Sequence, residues 1–290
     1  MTELSVELKR KALSARRRLL EMIVSAGGGH TGGSLSVADL LVVLYHHVLR
    51  VDPANSDAPD RDFFVLSKGH SVEAYYAVLA QAGFLDEETL KGYGRYGSPL
   101  YGHPTSGLPG VELATGALGH GLSAAVGMAL ASRRLALGSR AFCVLGDGEL
   151  AEGSVWEAAM AGSHYRLGNL VAVVDYNGLQ ISGPVEEVMS LGDIAARFAA
   201  FGWRCAEVDG GDIEALVALF DGLSYDDAVP TLVIARTTKG AGVSFMEGRA
   251  GWHHRLPTAE EAARAFEELD DAERVLEEQV ARTSAAGGNG

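Results

Sequence analysis

The sequence predicts an α/β fold, a mostly parallel sheet with helices on both faces, from three observations. Short apolar runs recur from about residue 60 onward: "FFVLS", "AFCVLGDG", "LVAVVDYN" and "TLVIART". The stretches between them carry apolar residues at helical spacing, the alternation expected when each strand is buried by helices above and below. Finally, 290 residues of which 47% are hydrophobic can bury a substantial core, and no internal repeat or low-complexity linker divides them. One domain is expected over residues 1–283, with "SAAGGNG" at 284–290 as a loose tail.

Each element has its own reason. The N-terminal stretch "MTELSVELKRKALSARRRLLEMIVS" interleaves basic and apolar residues at helical spacing, and its RRR at 16–18 reads as a solvated helix face. "DEETL" at 86–90 reads as a short surface helix. The segment 153–166 is a helix between the strands ending at Leu145 and beginning at Leu170. The acidic stretch 257–284 is a surface helix, with Thr258 as N-cap ahead of Glu260 and Glu261.

Charge and cysteine count exclude several functions. Lys and Arg number 24 against 38 Asp and Glu, a net charge of −14, so neither nucleic acid nor an anionic membrane is an expected partner. A phosphate ligand would need local help. Cys143 and Cys205 lie far apart with no CxxC spacing, which suggests neither a disulfide framework nor structural zinc and fits a reducing cytoplasm. No apolar run in the N-terminal stretch is long enough for a signal peptide or a membrane span.

The most informative stretch is "GDGELAEGSVWEAAMAGSHYRLGNLVAVVDYN", residues 146–177. Gly146 and Gly148 permit a tight turn after one strand, and Asn177 follows the next. In a βαβ unit the strands run parallel, so Asp147 and Asn177 emerge at the same carboxyl edge, where open α/β sheets bind ligands. One carboxylate and one amide oxygen suit a hard divalent ion whose remaining positions are filled by water or phosphate. Both residue types also favour turns after strands, and G-D-G alone does not separate the two readings. "SKGHS" lacks the spacing of a Walker loop, and "GALGHG" does not follow the dinucleotide fingerprint.

The GDG start, the spacing of about thirty residues and the closing asparagine resemble the thiamine diphosphate motif. With "GHTGGSLSVADLL" (29–41), "DRDFFVLSKGHSVEAYYAVL" (60–79), "YGHP" (101–104), "TGALGHGLSAAVGMAL" (115–130) and "KGAGVSFMEG" (239–248), the chain resembles the amino-terminal half of transketolase as found in split, two-subunit enzymes. This resemblance implies that Asp147, the Asn177 side-chain oxygen and the Leu179 carbonyl bind magnesium or calcium. It implies that Gly148 admits the thiamine diphosphate, that Gly116 and Leu118 lie along the cofactor, and that His30, His70, His103 and His253 surround diphosphate and sugar. Gly121, Ala125 and Gly127 suit close helix packing. Glu152 resembles a glutamate of an acidic network that crosses to the other half of the enzyme, although an acid at a helix start is also favoured electrostatically. His120, next to the cofactor segment and counted with the cofactor-binding residues, stands where glutamine is familiar, Ala117 replaces proline or serine, and His254 follows His253 where glycine is usual.

The implied reaction moves a two-carbon ketol unit from a ketose, phosphorylated or not, to an aldose or other aldehyde. The family's activating glutamate lies in a following domain, so the resemblance implies a pyrimidine-binding partner subunit within an α2β2 heterotetramer. Three other readings compare with this one: the α chain of a 2-oxo acid dehydrogenase, a synthase related to deoxyxylulose phosphate formation, and a catalytically inactive regulatory or binding paralogue. "GHTGGS", "SKGH" and "YGHP" favour transketolase over the first, short length weakens the second, and intact Asp147, Asn177 and four histidines oppose the third.

Overall fold

The computed structural model describes residues 2–225 and 227–287. Five strands form one parallel sheet: β1 Phe63–Leu66, β2 Ala141–Gly146, β3 Leu170–Tyr176, β4 Arg204–Asp209 and β5 Thr231–Arg236. Their spatial order is β1-β2-β3-β5-β4, every neighbouring pair parallel. The helices are α1 Glu3–Ala26, α2 Thr31–Val43, α3 Val72–Gln81, α4 Glu87–Lys91, α5 Gly121–Arg134, α6 Gly153–His164, α7 Val185–Met189, α8 Ile194–Ala200, α9 Ile213–Asp221 and α10 Ala259–Gly287.

Successive strand residues point to opposite faces, and both faces are apolar, which is why the strands read as continuous hydrophobic runs. Phe64, Phe142, Val144, Val171, Val173 and Val233 pack with residues of α1, α2, α3 and α9. Val65, Cys143, Leu145, Ala172, Val174 and Ile234 pack with α5, α6 and α8 on the other side. Each such large apolar side chain contributes about 1.5–3 kcal/mol on burial, so the centre of the sheet is the rigid platform of the molecule.

β4 is a strand that the apolar runs do not reveal. "RCAEVD" has four half-buried and two exposed positions and none fully buried, unlike the other edge strand β1, and it therefore lacks the apolar run that marks the other strands. The RRR expectation is corrected at its first residue. Arg16 is buried and donates to both carboxylate oxygens of Asp39 at 2.8 and 2.6 Å, and through Nε to the Ala241 carbonyl at 3.0 Å. Arg17 pairs with Asp270 and Arg18 with Glu87, so the run fastens α1 to α2, α10 and α4. Gly127 faces open space, whereas a Cβ on Gly121 would collide with the Ser67 side chain, so only the latter is needed for close packing.

Thr258 caps α10 as expected, in a reciprocal pair with Glu261: its hydroxyl accepts from Glu261 N–H at 3.2 Å while Glu261 accepts from Thr258 N–H at 2.9 Å. The helix runs to Gly287, into the stretch expected as a tail, and residues 288–290 lie outside the described ones. Both cysteines are free. No helix among the described residues is long and apolar enough to cross a membrane.

Candidate active site

A cavity of about 440 Å³ opens at the carboxyl edge of β2 and β3. Gly146 pairs with Asp175 across those strands, so the turns that follow lie side by side. The Asp147 carboxylate accepts from Gly148 N–H at 2.7 Å and from Gly178 N–H at 2.5 Å, closing the gap of the intervening βαβ unit. Asp147 is buried, and its pKa is pushed up to about 6 first by that burial and then by the Asp175 charge nearby. An acid held in this state is a place where a cation is welcome.

Asn177 Oδ1 accepts from Leu179 N–H at 3.2 Å, and the Leu179 carbonyl accepts from Lys239 Nζ at 3.0 Å. A Cβ on Gly148 would lie 2.8 Å from the Gln180 side chain, and one on Gly116, at φ 140°, would lie 2.7 Å from the His103 ring. Glycine is required at both positions for the backbone to line the cavity.

Two buried lysines supply positive charge in this acidic protein. Lys68 pairs with Asp175 and donates to the Gly33 carbonyl at 3.2 Å. Lys239 Nζ lies 3.0 Å from His253 Nδ1, and its pKa falls to about 8 because it is desolvated and faces Lys68. Neither lysine is among the residues expected from the sequence, although each stands inside an informative segment, "SKGHS" and "KGAGVSFMEG".

The imidazoles form one cluster. The His30 ring centre lies 5.5 Å from that of His70, 5.7 Å from His103, 5.6 Å from His253 and 4.5 Å from His254. His70 and His253 are 5.2 Å apart. Burial is the largest influence on all three inner rings: it lowers His30 to about 4 and His253 to about 3, and takes His70 well below the ordinary imidazole value. They are neutral at pH 7, able to donate through one ring nitrogen and accept through the other. His30 Nδ1 is buried and has no hydrogen-bond partner among the described residues. His103 and His254 are exposed and outside the cavity lining, joined to it through their ring contacts with His30. His254 thus joins the four histidines expected around the ligand.

The other candidates divide. Leu118, Gly148 and Glu152 line the cavity with Asp147, Asn177 and Leu179. Glu152 is exposed at the start of α6 and makes no side-chain cap bond. His120 is not part of the lining; it is exposed, with Nδ1 3.0 Å from its neighbour's carbonyl at Leu118. Glu149 is a further residue that sequence reasoning missed. Its buried carboxylate accepts from Ser67 Oγ, from Gly119 N–H at 2.8 Å and from Gly146 N–H at 3.0 Å, joining three cavity segments.

No group of three or more His, Cys, Asp or Glu side chains able to hold a metal occurs among the described residues. An ion here would draw on a single carboxylate with amide and carbonyl oxygens, a donor set that suits magnesium or calcium bound jointly with a phosphate. Neutral rings, buried ammonium groups, glycine-lined backbone and one oxygen-rich corner together define a domain that holds a phosphorylated cofactor at the carboxyl edge of a parallel sheet.

Comparison with known proteins narrows this class. Residues 8–270 match the model of the thiamine diphosphate binding domain of transketolase. The chain is 47% identical over 264 residues to one of the named subunits of apulose-4-phosphate transketolase from Phocaeicola vulgatus, covering 91% of this chain and 94% of that one. It is 38% identical over 271 residues to the 6-deoxy-6-sulfo-D-fructose transketolase subunit SqwG of Clostridium sp., covering 93% and 98%. With human transketolase it shares 40% identity over 247 residues, but these span only 39% of the human protein. The transketolase of Pichia stipitis, solved with sedoheptulose 7-phosphate, superposes with a TM-score of 0.83 at 30% identity, covering 97% of this chain and 46% of that one. The chain belongs to the transketolase family and carries its thiamine diphosphate binding domain.

Proposed function

We propose that this chain is the diphosphate-binding subunit of a two-component transketolase, active only with a pyrimidine-binding partner. The carrying observation is one of length. Relatives named as transketolase subunits are covered almost from end to end, whereas the chain spans less than half of human and Pichia stipitis transketolase. An α2β2 assembly in the cytoplasm is the arrangement we infer, since closed symmetry is the usual outcome for paired subunits.

Asp147, Asn177 Oδ1 and the Leu179 carbonyl are suited to hold magnesium or calcium, and Gly116, Leu118 and Gly148 to admit the cofactor backbone-first. The cofactor, when bound, supplies the electron sink for cleaving and remaking a carbon–carbon bond. Lys68 and Lys239 offset the diphosphate charge. The neutral rings of His30, His70 and His253 are suited to hydrogen-bond sugar hydroxyls and the carbonyl oxygen, and we assign the exposed His103 to the sugar as well. Phosphorylated or similarly anionic ketoses are the donor class we infer, with an aldose as acceptor, because the names of the two-component relatives include a ketose phosphate and a sulfonated ketose. Glu152, exposed at the cavity, is the residue we assign to an acidic network shared with the partner.

The test is reconstitution. Purified chain, partner, thiamine diphosphate and magnesium should transfer a ketol unit between a panel of ketoses and aldehydes, with maximal rate near a one-to-one ratio. Steady turnover by the chain without its partner, once contaminating transketolase has been excluded by mass spectrometry, would overturn the two-component reading.

A further inference from the structure

Glu73, in the first turn of α3, follows the short turn that carries His70 and is entirely buried. Burying a carboxylate is costly unless hydrogen bonds replace its water, and the groups that replace it here come from two separate chain segments. Glu73 Oε1 accepts from the backbone N–H of His30 at 3.0 Å and from the Tyr93 hydroxyl at 2.7 Å, while Oε2 accepts from the Ser34 hydroxyl at 2.7 Å.

These contacts hold chain that is glycine-rich: the approach to α2 on one side and the loop after α4 on the other. His30 follows Gly27, Gly28 and Gly29, of which Gly27 and Gly29 have positive φ. A Cβ on Gly29 would lie 2.6 Å from Glu73 Oε1, so the glycine makes room for the carboxylate. The His30 ring gains no anchor through Nδ1 among the described residues. Tyr93 begins a loop that contains Gly94 and Gly97, both at positive φ, and leads to His103, whose carbonyl accepts from the Tyr76 hydroxyl on α3 at 3.1 Å. Glycine-rich segments lose more conformational freedom on ordering than others, so what holds them must come from outside.

We propose that Glu73 is a positioning residue of the site: its carboxylate ties the segments bearing His30 and His103 to the start of α3, directly after the turn that bears His70, and so sets the three imidazoles in register. The inference rests on the active-site reading above. It concerns geometry, since Glu73 lies behind the rings and outside the cavity lining.

The consequence is a division between binding and turnover. In the reconstituted enzyme, Glu73→Ala should lower kcat by about 10²-fold, the cost of a misplacement near 1 Å, while the cofactor dissociation constant changes less than about threefold. Glu73→Gln keeps an acceptor oxygen for His30 N–H and should restore most of kcat. In the full chain alone, hydrogen–deuterium exchange should rise together over 27–34 and 92–104 in Glu73→Ala. Tyr93→Phe, which removes one donor and keeps the fold, should raise exchange over 92–104 only, and it decides the matter if Glu73→Ala does not fold. Unchanged exchange in both segments, or wild-type kcat in Glu73→Ala, would overturn the proposal, as would equal losses of kcat and cofactor affinity that Glu73→Gln fails to rescue. If the exchange pattern is found and wild-type enzyme transfers no ketol unit, the clamp stands and the activity reading fails instead.

Discussion

Lys239 Nζ and His253 Nδ1 are 3.0 Å apart, an ammonium donating to a neutral ring. The contact fixes which His253 nitrogen carries the proton: Nδ1 accepts, so Nε2 holds the hydrogen and is free to donate to a ligand. A lysine and a histidine that would repel each other if both were charged thereby become one hydrogen-bonding unit.

Lys239 should make anion binding pH-dependent. Its folded pKa is about 8, against 10.5 for a free lysine, so the ammonium charge of the ligand-free chain is lost as pH rises through 8. Thiamine diphosphate affinity at fixed magnesium should therefore fall between pH 7 and 9. Lys239→Met should weaken binding at pH 7 by about 10- to 100-fold, the value of a charge-assisted hydrogen bond, and flatten the profile. A profile as steep in the variant as in the wild type would assign the titration elsewhere.

Stability should decline on mild acidification. His30 and His253 titrate near 4 and 3 when folded but at 6.5 when free, so between these values the unfolded chain binds more protons and gains from acid. Asp147 acts in the opposite sense: its folded pKa of about 6 exceeds the free value of 3.8, so its contribution is present at low pH and lost as pH rises through 6. The buried carboxyls of Glu73 and Glu149 are raised as well and act in the sense of Asp147, but four lowered imidazoles, His46 and His70 included, outnumber these three carboxyls. Calorimetry should show Tm falling by roughly 5 °C from pH 7 to pH 5. A Tm that rises over that interval would mean the rings are solvated.

Asp147→Ala should abolish cofactor binding at ordinary magnesium concentrations, because it removes the one charged ligand of the proposed metal; the expected loss is several kcal/mol, or about 10²-fold or more. Titration calorimetry is the direct measurement, and near-normal affinity would move the metal away from this turn.

His103→Ala should keep cofactor affinity and lose about 10²-fold in rate, as when one polar contact to developing charge is removed. Loss of the cofactor together with the rate would make His103 structural. The ring stands close over Gly116, so Gly116→Ala should displace it and lose rate and cofactor affinity together.

Arg16→Leu should cost about 3–5 kcal/mol in urea denaturation, because Asp39 is left buried without its partner. Replacing both residues by apolar ones should recover most of that loss. An equal cost in the single and double variants would place the effect in packing.

What is legible in the sequence follows physical rules. Strands buried on both faces announce themselves by apolar runs, so β1, β2, β3 and β5 can be read directly, and Asp147 and Asn177 can be set on one edge from parallel topology alone. β4 has no fully buried residue and no succession of large apolar side chains, so no run exists to be seen. Arg16 is hidden because a basic triplet on a helix gives no sign that one of its members meets an aspartate 23 residues away. Lys68, Lys239, Glu73 and Glu149 escape for a shared reason: a buried charge is indistinguishable from a surface one until its partners are known, and most of those partners are remote in the chain.

The strand order β3-β5-β4 has a consequence for the order of events in biosynthesis. β4 leaves the ribosome before β5, yet its only neighbour in the sheet, among the described residues, is β5, which must enter between β3 and β4. Until residue 236 has emerged, β4 has nothing to pair with and the apolar flank of β3 stays uncovered. Lys239 and His253 arrive later still. The nascent chain thus possesses the Asp147 turn long before it possesses a pocket, and any capture of cofactor must wait for the last stage of synthesis, when the sheet closes.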